Sequence, residues 1–497
     1  MTDLKLGWRI CVLGVIVGGS VGVCAREPVE DLGIVQQDEA TLEWFRDAKF
    51  GMFLHWGLYA VQAQGEWYMD KAGIPIEDYR RCAFDLGDGV YFDANAYDPA
   101  QWAQIAKDCG MKYMCLTSRH HDGYALFDSK HHNAFTSVQT LKRDLFREYV
   151  DACRDADLRV GIYFSPLSWR YPGYFDVTGE DCRKNHWGYV TASWHKANAR
   201  AMKEEVYEQV HTLFRHYGPF DYMYWDGAWL AYKPSDRDAA FFWEPGKYRD
   251  PNNAWPVDPA YADYDEETGK PLGLMGIARK YSPKMVCNNR SGWIGDYYVD
   301  EGGKDVVGPI RSDVWEKNLN LNEVAWGYTT EQKLMPYERL IGLFVNSLVR
   351  NGNFLLNFGP DRHGNLPPSH VARLHEMGAW LKIVGDSVYG TRGGPWHPKD
   401  GQYGFTMKDK KVFIHLLPEY PGTSFVTEPL PCTVLTCKDL YTGKPLTFTQ
   451  TEEGRVEITG IDRQVHPADT IIALALDKAP PKPEHIDVPR SVIENKG

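Results

Sequence analysis

The chain has 497 residues, 43% hydrophobic, 13% aromatic and 25% charged, which excludes a disordered, collagen-like or membrane-embedded polymer and allows a large core. Its net charge of −12 is the wrong sign for binding phosphate backbones, so nucleic acid is not an expected partner. Ten cysteines are too few for a disulfide scaffold in a chain of this length.

At the N-terminus, Lys5 and Arg9 precede an uncharged run from Ile10 to Val23, which ends in Val23-Cys24-Ala25. The run falls short of the roughly 18 residues needed to cross a bilayer, and small residues stand where a signal peptidase would cut. Residues 1–25 therefore read as a secretory signal, with acylation of Cys24 as a minor alternative, and the mature protein is expected to be secreted or periplasmic. Two cysteines, Cys11 and Cys24, fall within that leader. Cys109 and Cys115 read as small core hydrophobes, and Cys432 and Cys437 are near enough to pair across a bend.

Across residues 40–392, short β-prone runs alternate with amphipathic stretches, the pattern of βα units around a parallel sheet. The strands are expected at Gly51–His55, Tyr113–Thr117, Val160–Phe164, Tyr222–Trp225, Met285–Asn288 and Phe354–Asn357. Helices are expected at Pro99–Cys109, Arg143–Ala156 and Ala197–Tyr217. The fold class this implies is α/β, a (β/α)8-like TIM barrel, whose active site lies at the C-terminal ends of the strands. Two long connections, Leu167–Ala192 and Ala231–Ser282, read as walls of that site. Beyond residue 393 the strands shorten to Tyr403–Met407, Val412–Leu417, Thr433–Thr436, Arg455–Ile458 and Thr470–Leu474, so residues 393–477 are expected to form an antiparallel β-sandwich without catalytic residues. His415 and Glu428 have no organised partner there in sequence. Residues 478–497, rich in proline and charge, read as a tail.

Successive strand ends carry His55-Trp56-Gly57 followed by Glu66-Trp67-Tyr68, then His120-His121-Asp122-Gly123, Tyr163, and Trp225-Asp226-Gly227. Imidazoles and carboxylates that exchange hydrogen bonds with hydroxyls, interleaved with aromatic faces, suit a pyranose, a ring of hydroxyls with apolar C–H faces. Asp226, just past an apolar run, is placed to act as nucleophile or base at the barrel mouth. The next strand ends at Asn288-Asn289-Arg290, and Asp296, Asp300, Glu301 and Glu316 follow as acids. Retaining glycoside hydrolysis needs two carboxyls about 5–5.5 Å apart, one to attack the anomeric carbon and one to protonate the leaving oxygen.

Six segments, Ala48 to Gly57, Glu66-Trp67-Tyr68, His120 to Tyr124, Trp225-Asp226-Gly227, Trp326-Gly327-Tyr328 and Gly352 to Pro360, resemble in order those of the retaining α-L-fucosidases, the twenty-ninth glycoside hydrolase family. The resemblance runs from about Trp44 to Arg392. It implies an exo-acting enzyme that removes terminal α-L-fucosyl residues from glycans by double displacement, without a cofactor. Asp226 would be the nucleophile, and His55, Glu66, Trp67, His120, His121, Tyr163, Trp225 and Arg290 would line the sugar pocket. The acid/base would be Glu301, in Tyr298-Val299-Asp300-Glu301, which keeps the family's glutamate without the usual Thr-Pro before it. Glu316, after Trp315 at what reads as the next strand end, is the alternative acid and otherwise a pocket residue. Arg119 stands where a lysine is usual, and Lys317–Val324 departs from the common pattern; both bear on the leaving-group side.

Three other readings stay open from the residues. One is a zinc hydrolase of the amidohydrolase kind, although an extended His120-His121 pair would point its rings to opposite faces. Another is a carbohydrate-binding protein that keeps the pocket without turnover. The third is a glycosidase for α-L-galactose, which differs from L-fucose by one hydroxyl. Linkage preference and oligomeric state are not legible in the sequence.

Overall fold

The computed structural model describes residues 36–166, 168–171, 193–226, 263–264, 266, 269, 272–290 and 295–483. The expected signal segment, the end of the tail and most of both long connections lie outside the described residues. Eight parallel strands follow one another around a sheet: β1 Phe50–Leu54, β2 Tyr113–Arg119, β3 Arg159–Phe164, β4 Tyr222–Trp225, β5 Val286–Cys287, β6 Tyr298–Glu301, β7 Trp315–Asn320 and β8 Gly352–Phe358. Their spatial order is β5-β4-β3-β2-β1-β8-β7-β6, and a parallel bridge between Asn288 and Tyr297 joins the two ends into a ring. The architecture is the expected (β/α)8-like barrel. Within 295–315 the chain passes from β6 to β7 without a helix, and the helical period is absent from that sequence too.

Six strands lie where the sequence places them, and β6 and β7 are additions. Their residues, Tyr-Val-Asp-Glu and Trp-Glu-Lys-Asn-Leu-Asn, are too polar for a buried parallel strand to be read from composition. Leu274–Tyr281, inside the second expected wall, is a barrel helix with Leu274, Ile277 and Ala278 buried.

The helices begin at definable signals. Asp98 caps Pro99–Asp108 by accepting from the Gln101 amide at 3.0 Å, with Pro99 in the first turn, where its missing N–H costs nothing. Asp144 likewise caps Leu145–Asp155, which buries Phe146, Tyr149, Val150 and Cys153 on one face. Because side chains alternate along a strand, Phe50, Met52 and Leu54 pack outward against these helices while Phe53 points into the ring. The interior is aromatic, with Phe53, Tyr113, Tyr163, Tyr222, Tyr224 and Tyr297. Helix α1, Glu39–Ala48, closes the N-terminal end: the Phe45 ring lies 4.9 Å from Tyr297, 5.8 Å from Tyr113 and 5.9 Å from Tyr222.

C-terminal to the barrel, a five-stranded and a three-stranded antiparallel sheet share a core of Trp396, Phe405, Val412, Ile414, Phe425, Val456, Ile458 and Ile472, the expected sandwich. Cys432 and Cys437 are both free thiols, so the pairing that their spacing left open does not form. His415 does have partners: its Nδ1 meets Asp469 Oδ2 at 2.9 Å and its Nε2 meets Thr406 Oγ1 at 3.1 Å, all fully buried. Thr406 in turn donates to the Ser387 carbonyl at 2.8 Å, tying this sheet to the 3-10 turn Gly385–Ser387 that follows the last barrel helix, Pro368–Val384. Asp469 escaped the sequence reading because it is 54 residues away and meets His415 only through strand pairing.

Candidate active site

The C-terminal ends of the barrel strands surround a cavity of about 860 Å3, lined among others by His55, Glu66, Trp67, His120, His121, Tyr163, Asp226, Arg290 and Glu301. That is room for a monosaccharide and part of what it is attached to. His55, directly after β1, is fixed by a 2.7 Å contact of its Nδ1 with Asn357 Oδ1 on β8. Asn357 donates in turn to Asn320 Oδ1 at 2.9 Å and the Trp326 carbonyl at 2.7 Å, so three strand ends hold one imidazole. Glu66 accepts the Gly327 amide at 2.7 Å, and burial raises its carboxyl above the usual range. The Trp67 ring stands edge-on to His121 and Trp169.

The two histidines after β2 both reach the cavity, their ring centroids 4.2 Å apart. The expectation that they point oppositely fails because the strand ends at Arg119 and the chain is already turning at His121 and Asp122. Gly123, at φ +75, completes that turn in a region favourable to glycine. His121 Nδ1 lies 2.6 Å from Ser165 Oγ, leaving Nε2 at 3.5 Å from Asp226 Oδ2. His120 stacks on Tyr163 at 5.6 Å. Burial pushes His55 and His121 down to about 4 and His120 well below its ordinary value, so these rings are neutral at pH 7. A neutral imidazole can both donate to and accept from a sugar hydroxyl.

Asp226 follows β4. Its Oδ2 accepts from the Tyr163 hydroxyl at 2.7 Å and its Oδ1 from Arg290 Nη1 at 2.8 Å. The other guanidinium nitrogen of Arg290 meets Glu301, the last residue of β6, so one planar cation touches both carboxylates. Among the described residues, His120, His121 and Asp226 are the one group whose donor atoms are near enough to share a metal ion, all within 4.8 Å. Arg290, already bonded to the same carboxylate, places a fixed positive charge against a second cation there.

Two expected pocket residues lie elsewhere. Trp225 alternates with Tyr224 and Asp226 and so faces out of the barrel, where its indole N–H reaches Met275 Sδ at 3.1 Å and its ring packs on Phe164 and Phe214. Glu316 is the second residue of β7, at the beginning of a strand and not its end. Its carboxyl accepts from the Tyr113 hydroxyl and, at 2.6 Å, from Tyr222, both at strand starts on the barrel floor. Burial pushes its pKa up to about 8.

Other residues of the lining were not expected there, among them Phe53, Tyr224, Asn318 and Asn320. Period-two counting back from Asp226 would have found Tyr224, whose ring carries Arg290 at 5.3 Å. The asparagines were hidden because β7 lies in the segment that departs from the family pattern. Arg119 is buried behind the site, donating to the Ser165 carbonyl at 2.6 Å on the segment that holds His121.

A model of the α-L-fucosidase family matches residues 32–386. An α-L-fucosidase of Branchiostoma floridae is 28% identical over 410 residues, covering 78% of this chain and 81% of that protein. The plasma α-L-fucosidase of Homo sapiens is 27% identical over 442 residues, covering 84% and 85%. Among solved structures, α-L-fucosidase isoenzyme 1 from Paenibacillus thiaminolyticus superposes with a TM-score of 0.69 at 26% identity, over 88% of this chain and 99% of that one. With the family match spanning most of the barrel and the motif residues converging on one cavity, the chain belongs to the α-L-fucosidase family of glycoside hydrolases.

Proposed function

We propose that the protein is an exo-acting, retaining α-L-fucosidase in which Asp226 attacks the anomeric carbon and Glu301 protonates the glycosidic oxygen. The observation that carries this is the single guanidinium of Arg290 bonded to both carboxylates at the barrel mouth, with Tyr163 orienting Asp226 from the other side. In the first half-reaction an Asp226 oxygen forms the new bond to carbon as the carbon–oxygen bond to the aglycone breaks. Glu301, turned from the guanidinium and carrying a proton taken up from solvent, gives that proton to the leaving oxygen and is left as the carboxylate. In the second, Glu301 takes a proton from water as the water oxygen displaces Asp226, which restores the original anomeric configuration. His55, His120, His121, Glu66 and Trp67 bind the sugar, its hydroxyls by the polar groups and its C–H face by the indole. The substrate is a fucosylated oligosaccharide or glycoconjugate.

The test is hydrolysis of an aryl α-L-fucoside with the product's anomer read by NMR before mutarotation. Retained configuration is expected. An inverted product, or saturable binding without turnover, would overturn the reading. Faster hydrolysis of the α-L-galactoside would redirect its sugar specificity. The charged-then-apolar N-terminus supports export as part of this proposal, and exported material should begin near Arg26, not Met1.

A further inference from the structure

We infer that Arg339 is a positioning residue for proton transfer to the leaving group: it holds the corner that carries Glu301 against the neighbouring loop of the cavity lining. The inference rests on the reading of Glu301 as acid. Glu301 ends β6, and the chain leaves the sheet through Gly302 and Gly303. Gly302 sits at φ +96, in the left-handed region, and its N–H donates to the Asn318 carbonyl on β7 at 2.8 Å. Two consecutive glycines have no side chains with which to anchor themselves, so this corner depends on what bonds its backbone. Arg339 Nη2 donates to the Gly303 carbonyl at 2.7 Å.

Arg339 itself stands on firm ground. It lies in the first turn of the helix Tyr337–Leu348, whose Leu340, Ile341 and Phe344 are buried. Its Nε lies 3.7 Å from Glu323 Oε1, and Glu323 Oε2 lies 3.2 Å from Lys333 Nζ. Glu323 and Lys333 belong to another loop of the cavity lining, pinned by Glu323 N–H to the Lys333 carbonyl at 2.9 Å and Met335 N–H to the Leu321 carbonyl at 2.9 Å. Glu301, Gly302, Gly303, Glu323 and Lys333 all line the one cavity. Arg339 thus joins two segments of the cavity lining, and it touches the backbone two residues beyond the acid without touching the reacting atoms.

Acid assistance matters in proportion to how poor the leaving group is. The experiment compares Arg339→Met with the parent enzyme by kcat/KM, which reports the glycosylation step, on aryl fucosides of graded phenol acidity and on a fucosyl disaccharide. The disaccharide is expected to lose about 10- to 100-fold and the most activated aryl fucoside less than about threefold, a displaced acid being worth part of the full acid effect. Arg339→Lys, which keeps a donor and a positive charge, should recover most of the loss. Equal loss on all substrates, or no loss on the disaccharide, would overturn the inference, and thermal melts of both variants separate it from a folding defect. Glu301→Ala is run alongside. If Glu301→Ala shows the steep leaving-group dependence and Arg339→Met does not, the positioning role alone fails. If Glu301→Ala shows none, the acid assignment fails first and takes the positioning role with it.

Discussion

Each end of the barrel holds a carboxyl bonded by tyrosine hydroxyls, and the two have opposite fates. At the mouth, Asp226 accepts from Tyr163 and from the guanidinium of Arg290 and faces an open cavity. At the floor, Glu316 accepts from Tyr113 and Tyr222, is sealed beneath Phe45, and is pushed up to about 8 by burial. Hydroxyls satisfy a buried carboxyl in either protonation state, whereas a paired cation favours the charged one. What sets the carboxylate proposed to react apart from the sealed acid of the floor is therefore the arginine and the access, and the tyrosines occur at both.

The comparison breaks most sharply at Asp226. Asp226→Ala is expected to lower turnover on every fucoside by about 10⁴-fold or more, with azide restoring part of it by attack from the vacated face. Appearance of a fucosyl azide in product analysis checks this, and unimpaired turnover would remove Asp226 from the mechanism. Next comes the contrast of acids. Glu301→Ala should cost about 10²- to 10⁴-fold on poor leaving groups and far less on activated ones, whereas Glu316→Gln should stay within about threefold on both. A steep leaving-group dependence in Glu316→Gln and none in Glu301→Ala would exchange their roles.

Stability effects are smaller and fall outside the mouth. His415→Ala leaves the buried Asp469 carboxyl and Thr406 hydroxyl without their imidazole and should cost about 1–3 kcal/mol in denaturant unfolding. Turnover per folded molecule should be unchanged, and a specific loss of kcat would contradict the expectation that the sandwich holds no catalytic residue. The smallest effect sharpens the floor. Glu316 is protonated in the fold up to about pH 8, while in the unfolded chain it ionises near its ordinary 4.5. The native state thus holds the extra proton across that window, and Glu316 makes the fold progressively less stable as pH rises through it. Glu316→Gln should remove this slope, so its melting temperature should rise relative to the parent between about pH 5 and about pH 8. A difference in melting temperature that does not change with pH would show that Glu316 is not held neutral.

By itself the sequence determined the six apolar strands, the capped helices, the change to an antiparallel sandwich and nine of the twenty residues that line the cavity, including Asp226 and Arg290. Each of these is written in a local signal: an apolar run, a cap such as Asp98, or a motif that ends a strand. Only the tertiary structure decided which face a residue takes and which distant partner it meets. Trp225 and Asp226 are neighbours in one motif, yet the strand alternation sends one into the helix layer and the other into the site. Glu316 and Glu301 are both glutamates in short strands that begin with an aromatic residue, but β7 starts at Trp315 and β6 ends at Glu301, which puts them at opposite ends of the barrel. Strand polarity and register of β7 follow from pairing with β8, 37 residues further along the chain, as in Asn353 opposite Glu316 and Asn357 opposite Asn320, and β6 pairs in turn with β7. Such pairing is fixed by the packing of the whole ring, and no window of sequence around either glutamate contains it.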